Sequence, residues 1–279
     1  MVSRKKLGYW AVLAAAALLF ALVEGVTAAP PSASPGSEWR LVFNDEFNGT
    51  ALDLNKWNTH YVWGRTITGT GELEYYADDA YDFQDGYLRL RAERRSMEGF
   101  QYTSGMISSH NKFSLKYGYI EIRARIPYGQ GLWPAYWLMP TSGEWPPEID
   151  VLEVLGQTPY IVYMTNHWTD ANSNPAQLQG SYTSPDDFSA DFHTYAIDWN
   201  ADRIIWYVDG IERFRTSSHI PQEPMYILAT FAVGGHWPGY PDETTPFPSY
   251  FDIDYIRVYR LASDLPFPTW LPMIYQTGR

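Results

Sequence analysis

Gly118-Tyr119-Ile120-Glu121-Ile122-Arg123-Ala124-Arg125-Ile126 sets Ile120, Ile122, Ala124 and Ile126 against Glu121, Arg123 and Arg125. Successive side chains of a strand point to opposite faces, so this alternation predicts a half-buried β-strand with a charged outer face. Tyr87 to Arg91 alternates in the same way, and Phe251 to Tyr259 reads as a closing strand. Between Ile204 and Arg215, Asp209-Gly210 separates two apolar-alternating arms, the strongest short-range signal for a tight hairpin. Amphipathic helical periodicity is scarce, and no stretch of 20 to 50 residues recurs as a repeat. The chain therefore reads as all-β, most simply a sandwich of two antiparallel sheets.

The first residues carry Arg4, Lys5 and Lys6, then an apolar run from Leu7 to Val23, then the small-residue stretch Val26-Thr27-Ala28. That order predicts an export signal over residues 1–28, removed on secretion, with an uncleaved anchor as the alternative. A Pro/Ser/Gly-rich linker is expected over 29–38, a single folded domain over 39–261, and an irregular tail over 262–279, where Pro266, Pro268 and Pro272 stand. The formal net charge of −12 becomes −14 once residues 1–28, with three basic residues and one acidic, are removed. So acidic a chain is expected to avoid nucleic acid and anionic membranes. There is no cysteine, so the fold must rest on its hydrophobic core. Roughly 250 residues can bury such a core in one domain, and a monomer is expected.

Glu148-Ile149-Asp150-Val151-Leu152-Glu153 carries the candidate chemistry. Plain alternation puts Glu148 and Asp150 on one face and Glu153, five residues beyond Glu148, on the other. A β-bulge at Val151 or Leu152 would shift the parity and return Glu153 to the face of the other two acids. Glycoside hydrolysis needs two carboxyl groups in different protonation states, and about 5–5.5 Å between them selects a covalent, retaining route. In that reading Glu148 is the ionised nucleophile, Glu153 the acid/base, and Asp150 a partner that hydrogen-bonds the nucleophile. The alternative is a solvated acidic strand whose Val151, Leu152 and Val154 face the core. Just upstream, Gly131-Leu132-Trp133-Pro134-Ala135-Tyr136-Trp137 places Trp133 and Trp137 on one face of an extended segment, as sugar platforms or as core.

These residues resemble glycoside hydrolase family 16, in particular its laminarinase-like branch acting on β-1,3-glucans. Glu148, Asp150 and Glu153 match the bulged Glu-x-Asp-x-x-Glu form of the family signature. Similarity extends from Phe43-Asn44-Asp45-Glu46-Phe47 through Gly129-Gln130-Gly131-Leu132-Trp133-Pro134-Ala135 and Thr165-Asn166-His167 to Gly234-Gly235-His236-Trp237-Pro238-Gly239 and Asp252-Ile253-Asp254-Tyr255. The resemblance implies a concanavalin-like jelly-roll sandwich of two curved antiparallel sheets with an open cleft on the concave face. It implies a secreted endo-β-glucanase in which Trp133, Trp137 and Trp237 bind sugar rings and His167 sits near the acid/base. A structural calcium ion on the convex side, at Glu46, Gly86 and Asp254, is also implied; the hydrolytic chemistry itself needs no cofactor.

Two departures from the family pattern concern substrate choice. Thr70-Gly71-Glu72-Leu73-Glu74-Tyr75-Tyr76 stands where an asparagine pair commonly precedes Glu-Leu-Gln-Tyr-Tyr, and Met106 replaces a frequent arginine after Tyr102-Thr103-Ser104-Gly105. Linkage preference, β-1,3 or mixed β-1,3-1,4, is therefore open. So are a non-catalytic glucan-binding protein on the same sandwich and a hydrolase of algal galactans such as agar or carrageenan, although a sulfated substrate would call for a basic cleft. No Gly-x-Ser-x-Gly elbow, His-Glu-x-x-His pair or phosphate-binding loop is present.

Overall fold

The computed structural model describes residues 38–265. The expected export signal, most of the expected linker and the expected tail beyond residue 265 lie outside the described residues. In chain order the strands are β1 (Trp39–Asp45), β2 (Glu74–Tyr76), β3 (Tyr81–Gln84), β4 (Tyr87–Ala92), β5 (Tyr102–Ser104), β6 (Met106–Ser108), β7 (Gly118–Arg125) and β8 (Leu132–Pro140). They continue as β9 (Glu148–Glu153), β10 (Ile161–Thr169), β11 (Pro175–Thr183), β12 (His193–Trp199), β13 (Ile204–Val208), β14 (Ile211–Thr216), β15 (Met225–Val233) and β16 (Ser249–Leu261).

Two sheets pack face to face. One has the order β14-β13-β12-β7-β16-β4-β3, with β1 also paired to β16; the other has the order β11-β10-β9-β8-β15-β6. All pairings within them are antiparallel, as the alternating sequence implies, and β2 and β5 form a small parallel pair beside them. The core lies between the sheets. Ile120, Ile122 and Ala124 of β7 and Ile253, Ile256 and Val258 of β16 meet Tyr136, Leu138, Ile149, Val162, Ile227 and Phe231 from the six-stranded sheet. Each such side chain contributes about 1.5–3 kcal/mol when fully buried, which lets the chain dispense with disulfides.

The Asp209-Gly210 turn joins β13 to β14, with φ of 52° and 72°, the left-handed pair that a two-residue hairpin of matching twist requires. The expected charged face of β7 is present but only partly solvated. Glu121 is buried and accepts hydrogen bonds from the hydroxyls of Tyr119 and Tyr255 at 3.2 and 2.8 Å. Arg123 pairs with Asp254, and Arg125 with Asp252. Tyrosines on the outer face roof over the carboxylate, which alternation alone does not reveal.

Those ion pairs bear on calcium. Both carboxylate oxygens of Glu46 accept from Arg257 at 3.0 and 2.7 Å, and Asp254 accepts from Arg123 at 2.5 Å. The guanidinium groups already neutralise the charge that a hard cation would use, so these carboxylates, as arranged, do not fit calcium. Gly86 borders the Asn48 side chain, where an added Cβ would lie 3.3 Å from Oδ1. Among the described residues no helix is long and apolar enough to cross a membrane.

Candidate active site

The strand β9 carries its bulge at Val151. On the β8 side, Trp137 pairs with Asp150 and the next residue, Tyr136, with Leu152, so Val151 has no partner. On the β10 side, Thr165 pairs with Asp150 and Tyr163 with Glu153, two residues against three. The extra residue has one consequence for side chains. Ile149, Val151, Leu152 and Val154 all enter the core, while Glu148, Asp150 and Glu153 all line the opposite face of the sheet.

That face is a cleft of about 460 Å³. Trp137, Met139 and Ala135 of β8 form its floor with Thr230 and Ala232 of β15, and Tyr61, Trp63, Ile67, Thr70, Glu72 and Tyr76 form one wall. Trp137 is a floor residue more than a projecting platform: it is 8% exposed, and its indole N–H donates to Thr230 Oγ1 at 3.1 Å. Trp133 donates its indole N–H to Glu153 Oε1 at 3.2 Å. Trp237, well exposed on the loop after β15, stands edge-on to Trp133 with ring centroids 5.5 Å apart, and also touches Tyr163.

His167 does not stand beside Glu153, where the resemblance put it. Antiparallel register sets it opposite Glu148, and its Nε2 lies 2.9 Å from Asp150 Oδ2 and 3.5 Å from Glu148 Oε1. The imidazole therefore serves the Glu148 end of the row. Glu148, Asp150 and His167 offer ligand atoms within 4.8 Å of one another, compatible in donor type with a cation, but the contacts among them are already satisfied by hydrogen bonding.

Burial pushes Glu153 well above the usual carboxylate range, and the neighbouring Asp150 charge adds to this. Burial, then the charges of Asp150 and Glu153, pushes Glu148 the same way. Glu148 and Glu153 are thus both shifted toward the protonated form by their place in the row. Their donors differ: among the described residues Glu153 accepts from the Trp133 indole, whereas Glu148 accepts from the Trp145 indole at 3.0 Å and also faces His167.

Three site features escaped the reading of the sequence. Trp145, half-exposed, precedes β9 and closes over Glu148. Trp63 stacks on Tyr61, centroids 4.7 Å apart at 10°, and extends the wall. Glu72 and Glu74 are both buried: Glu72 accepts from the Thr70 hydroxyl at 2.6 Å, and Glu74 accepts from Val233 N–H at 2.8 Å. Burial raises both, strongly for Glu74, which also feels the Glu72 charge. The alternation Glu72-Leu73-Glu74-Tyr75-Tyr76 carried that signal, since it puts both acids on the face of the buried Tyr76. Met106, in the place of a frequent arginine, packs with Tyr61, Tyr76 and Trp137.

Residues 70–257 match the sequence profile of Glycosyl hydrolases family 16. The chain belongs to that family. Among its family 16 relatives, the beta-glucanase of Rhodothermus marinus is 35% identical over 246 residues, covering 80% of this chain and 85% of the relative. The endo-1,3-1,4-beta-glycanase EglC of Rhizobium meliloti is 34% identical and covers 80% of this chain, which spans about half (52%) of that relative's length. Among solved structures, the catalytic domain of an endo-1,3-beta-glucanase (laminarinase) from Thermotoga petrophila superposes with a TM-score of 0.73. It is 39% identical and covers 80% of this chain and 98% of that domain. Family 16 enzymes have the jelly-roll fold, to which the two antiparallel sheets described above correspond.

Proposed function

We propose that the protein is a secreted, retaining endo-β-glucanase that hydrolyses internal β-1,3 linkages of laminarin-type glucans, with mixed β-1,3-1,4-glucans as further substrates. The observation that carries this reading is the bulge at Val151, which presents Glu148, Asp150 and Glu153 along one wall of an aromatic cleft. In the first step a Glu148 oxygen bonds the anomeric carbon as the glycosidic C–O bond breaks, and Glu153 gives its proton to the departing oxygen. Glu153, now ionised, then takes a proton from water as the water oxygen bonds the anomeric carbon and Glu148 leaves. Asp150, fixed by His167, stands between the two acids and hydrogen-bonds the nucleophile.

Trp133 and Trp237 offer aromatic faces for the apolar C–H faces of sugars. The cleft is assembled from one chain, which supports action as a monomer. Its lining holds three carboxylates of β9 and Glu72, a poor setting for nucleic acid or sulfated glycans. Residues 1–28 support export. Sugar release from laminarin, lichenan, agarose and κ-carrageenan tests the reading. Release from laminarin, with or without lichenan, is expected; release confined to the galactans would mean another substrate class, and binding of laminarin without release would mean a glucan-binding protein.

A further inference from the structure

Glu148 is held at two points. Its Oε2 accepts the indole N–H of Trp145 at 3.0 Å, and its Oε1 lies 3.5 Å from His167 Nε2. Trp145 comes from the loop between β8 and β9, three residues ahead of the carboxylate it serves, and its ring centroid is 6.1 Å from that of His167. Half its surface stays open, on the rim of the cleft. The same indole thus has an N–H committed inward and ring surface left to solvent.

We propose that Trp145 is a positioning residue for glycosyl transfer, its N–H fixing Glu148 Oε2 so that Oε1 is the oxygen that bonds the anomeric carbon. This rests on the reading of Glu148 as nucleophile. The physical need is plain. Glu148 shares a buried row with Asp150 and Glu153, and an ionised carboxylate there requires donors to offset both lost hydration and like charge. The other titratable groups around it are Asp150 and Glu153 on its own strand, His167 on β10, Tyr226 on β15 and Tyr61 in the cleft wall. The carboxyls and phenols supply no cation, and His167 Nε2 lies nearer Asp150, at 2.9 Å, than Glu148, at 3.5 Å, so the neutral Trp145 N–H at 3.0 Å is the closer donor to Glu148. The donor lowers the proton affinity of Glu148, opposing its neighbours. It also removes one of the two carboxylate oxygens from competition, which favours a single attack geometry.

Trp145→Phe separates the N–H from the ring. Phenylalanine keeps an aromatic face on the cleft rim but cannot donate, so KM for laminarin should stay within about twofold while kcat falls about tenfold, the usual effect of one hydrogen bond to a charged group. Loss of a donor to the ionised form should also move the acidic limb of the kcat/KM profile to higher pH. Trp145→Ala should lose both kcat and KM. Melting curves of each variant, compared with the parent protein, report whether the fold is intact. Wild-type turnover of laminarin is measured first. Its absence overturns the hydrolase reading and this inference with it, whereas wild-type turnover with a Trp145→Phe enzyme of unchanged kcat and unshifted acidic limb overturns the role of Trp145 alone. A Trp145→Phe enzyme altered only in KM also overturns it, leaving the ring as a sugar platform.

Discussion

Glu74 is fully buried, accepts a hydrogen bond from Val233 N–H through Oε2, and among the described residues has no hydrogen-bond donor to Oε1, which shares its surroundings with Glu72. A proton held between the two acids accounts for both. Glu74→Gln keeps the acceptor for Val233 and supplies an N–H toward Glu72, so it should stabilise the protein by about 1–3 kcal/mol at pH 8 and by less at pH 5, because a buried acid held above its ordinary range costs stability only as pH rises past that range. Urea unfolding at the two pH values measures this, and an equal effect at both would mean that the acids do not share a proton. For the β9 row, Glu148→Gln should lower laminarin turnover by several orders of magnitude while laminarin binding persists, and Glu153→Ala should regain part of its activity with azide. The β9 acids and their order were legible because three carboxylates in six residues is a pattern. The Trp145 contact was not, since nothing in Glu144-Trp145-Pro146-Pro147 tells which way the indole turns. His167 was found by type, but its neighbour was misplaced because the register of β10 on β9 is a long-range fact.

Strand β9 differs from its neighbours by one residue, and that residue decides the site. Deleting Val151 should remove the bulge and restore plain alternation, with Glu148, Asp150 and Glu153 now at every second position on the cleft face and Ile149 and Leu152 facing the core. Laminarin turnover should survive. Stability should fall by about 1.5–3 kcal/mol, because the buried Val151 side chain is lost from the core. Circular dichroism and urea unfolding check the second effect apart from the first; a folded deletion variant without turnover would mean that the facing of Glu153 is not what the bulge supplies. The need for a bulge followed from the parity of Glu148 and Glu153, and it is observed at the first of the two positions considered. The strands β4, β7 and β16 and the Asp209-Gly210 hairpin were legible because their sequences alternate apolar and polar residues, although burial itself follows period two throughout only in β4. Strands such as β8 and β15, buried on both faces, one toward the core and one under the cleft, have no such alternation, and their pairing is a property of the folded sheet.

Among the described residues, the acids that burial raises are Glu72, Glu74, Glu148, Glu153 and Asp198. Each binds its proton more tightly folded than unfolded, so the folded state carries more protons above the ordinary carboxylate range of about 4.5, and stability falls as pH rises from there through the folded values. The lowered acids Glu46, Asp78 and Asp79 act in the opposite sense and only below that range. The melting temperature should therefore be higher at pH 6 than at pH 9, a trend the net charge of −12 reinforces by self-repulsion. With Glu46 and Asp254 already paired to arginine, EDTA should leave that melting temperature unchanged; a rise on adding calcium would mean that backbone carbonyls near Gly86 hold the ion after all. Composition and charge made the acidic, disulfide-free sandwich legible, but not the arginine pairs that occupy its outer face, because they join residues more than a hundred positions apart. In the proposed function the bulged strand makes Glu148 the nucleophile of a retaining hydrolase. Incubation with a 2-deoxy-2-fluoro laminaribiosyl fluoride, followed by peptide mass spectrometry, tests it most directly: one sugar per chain on Glu148 is the expected result, and turnover of laminarin with the label on another residue, or with no label and inverted product, would contradict it.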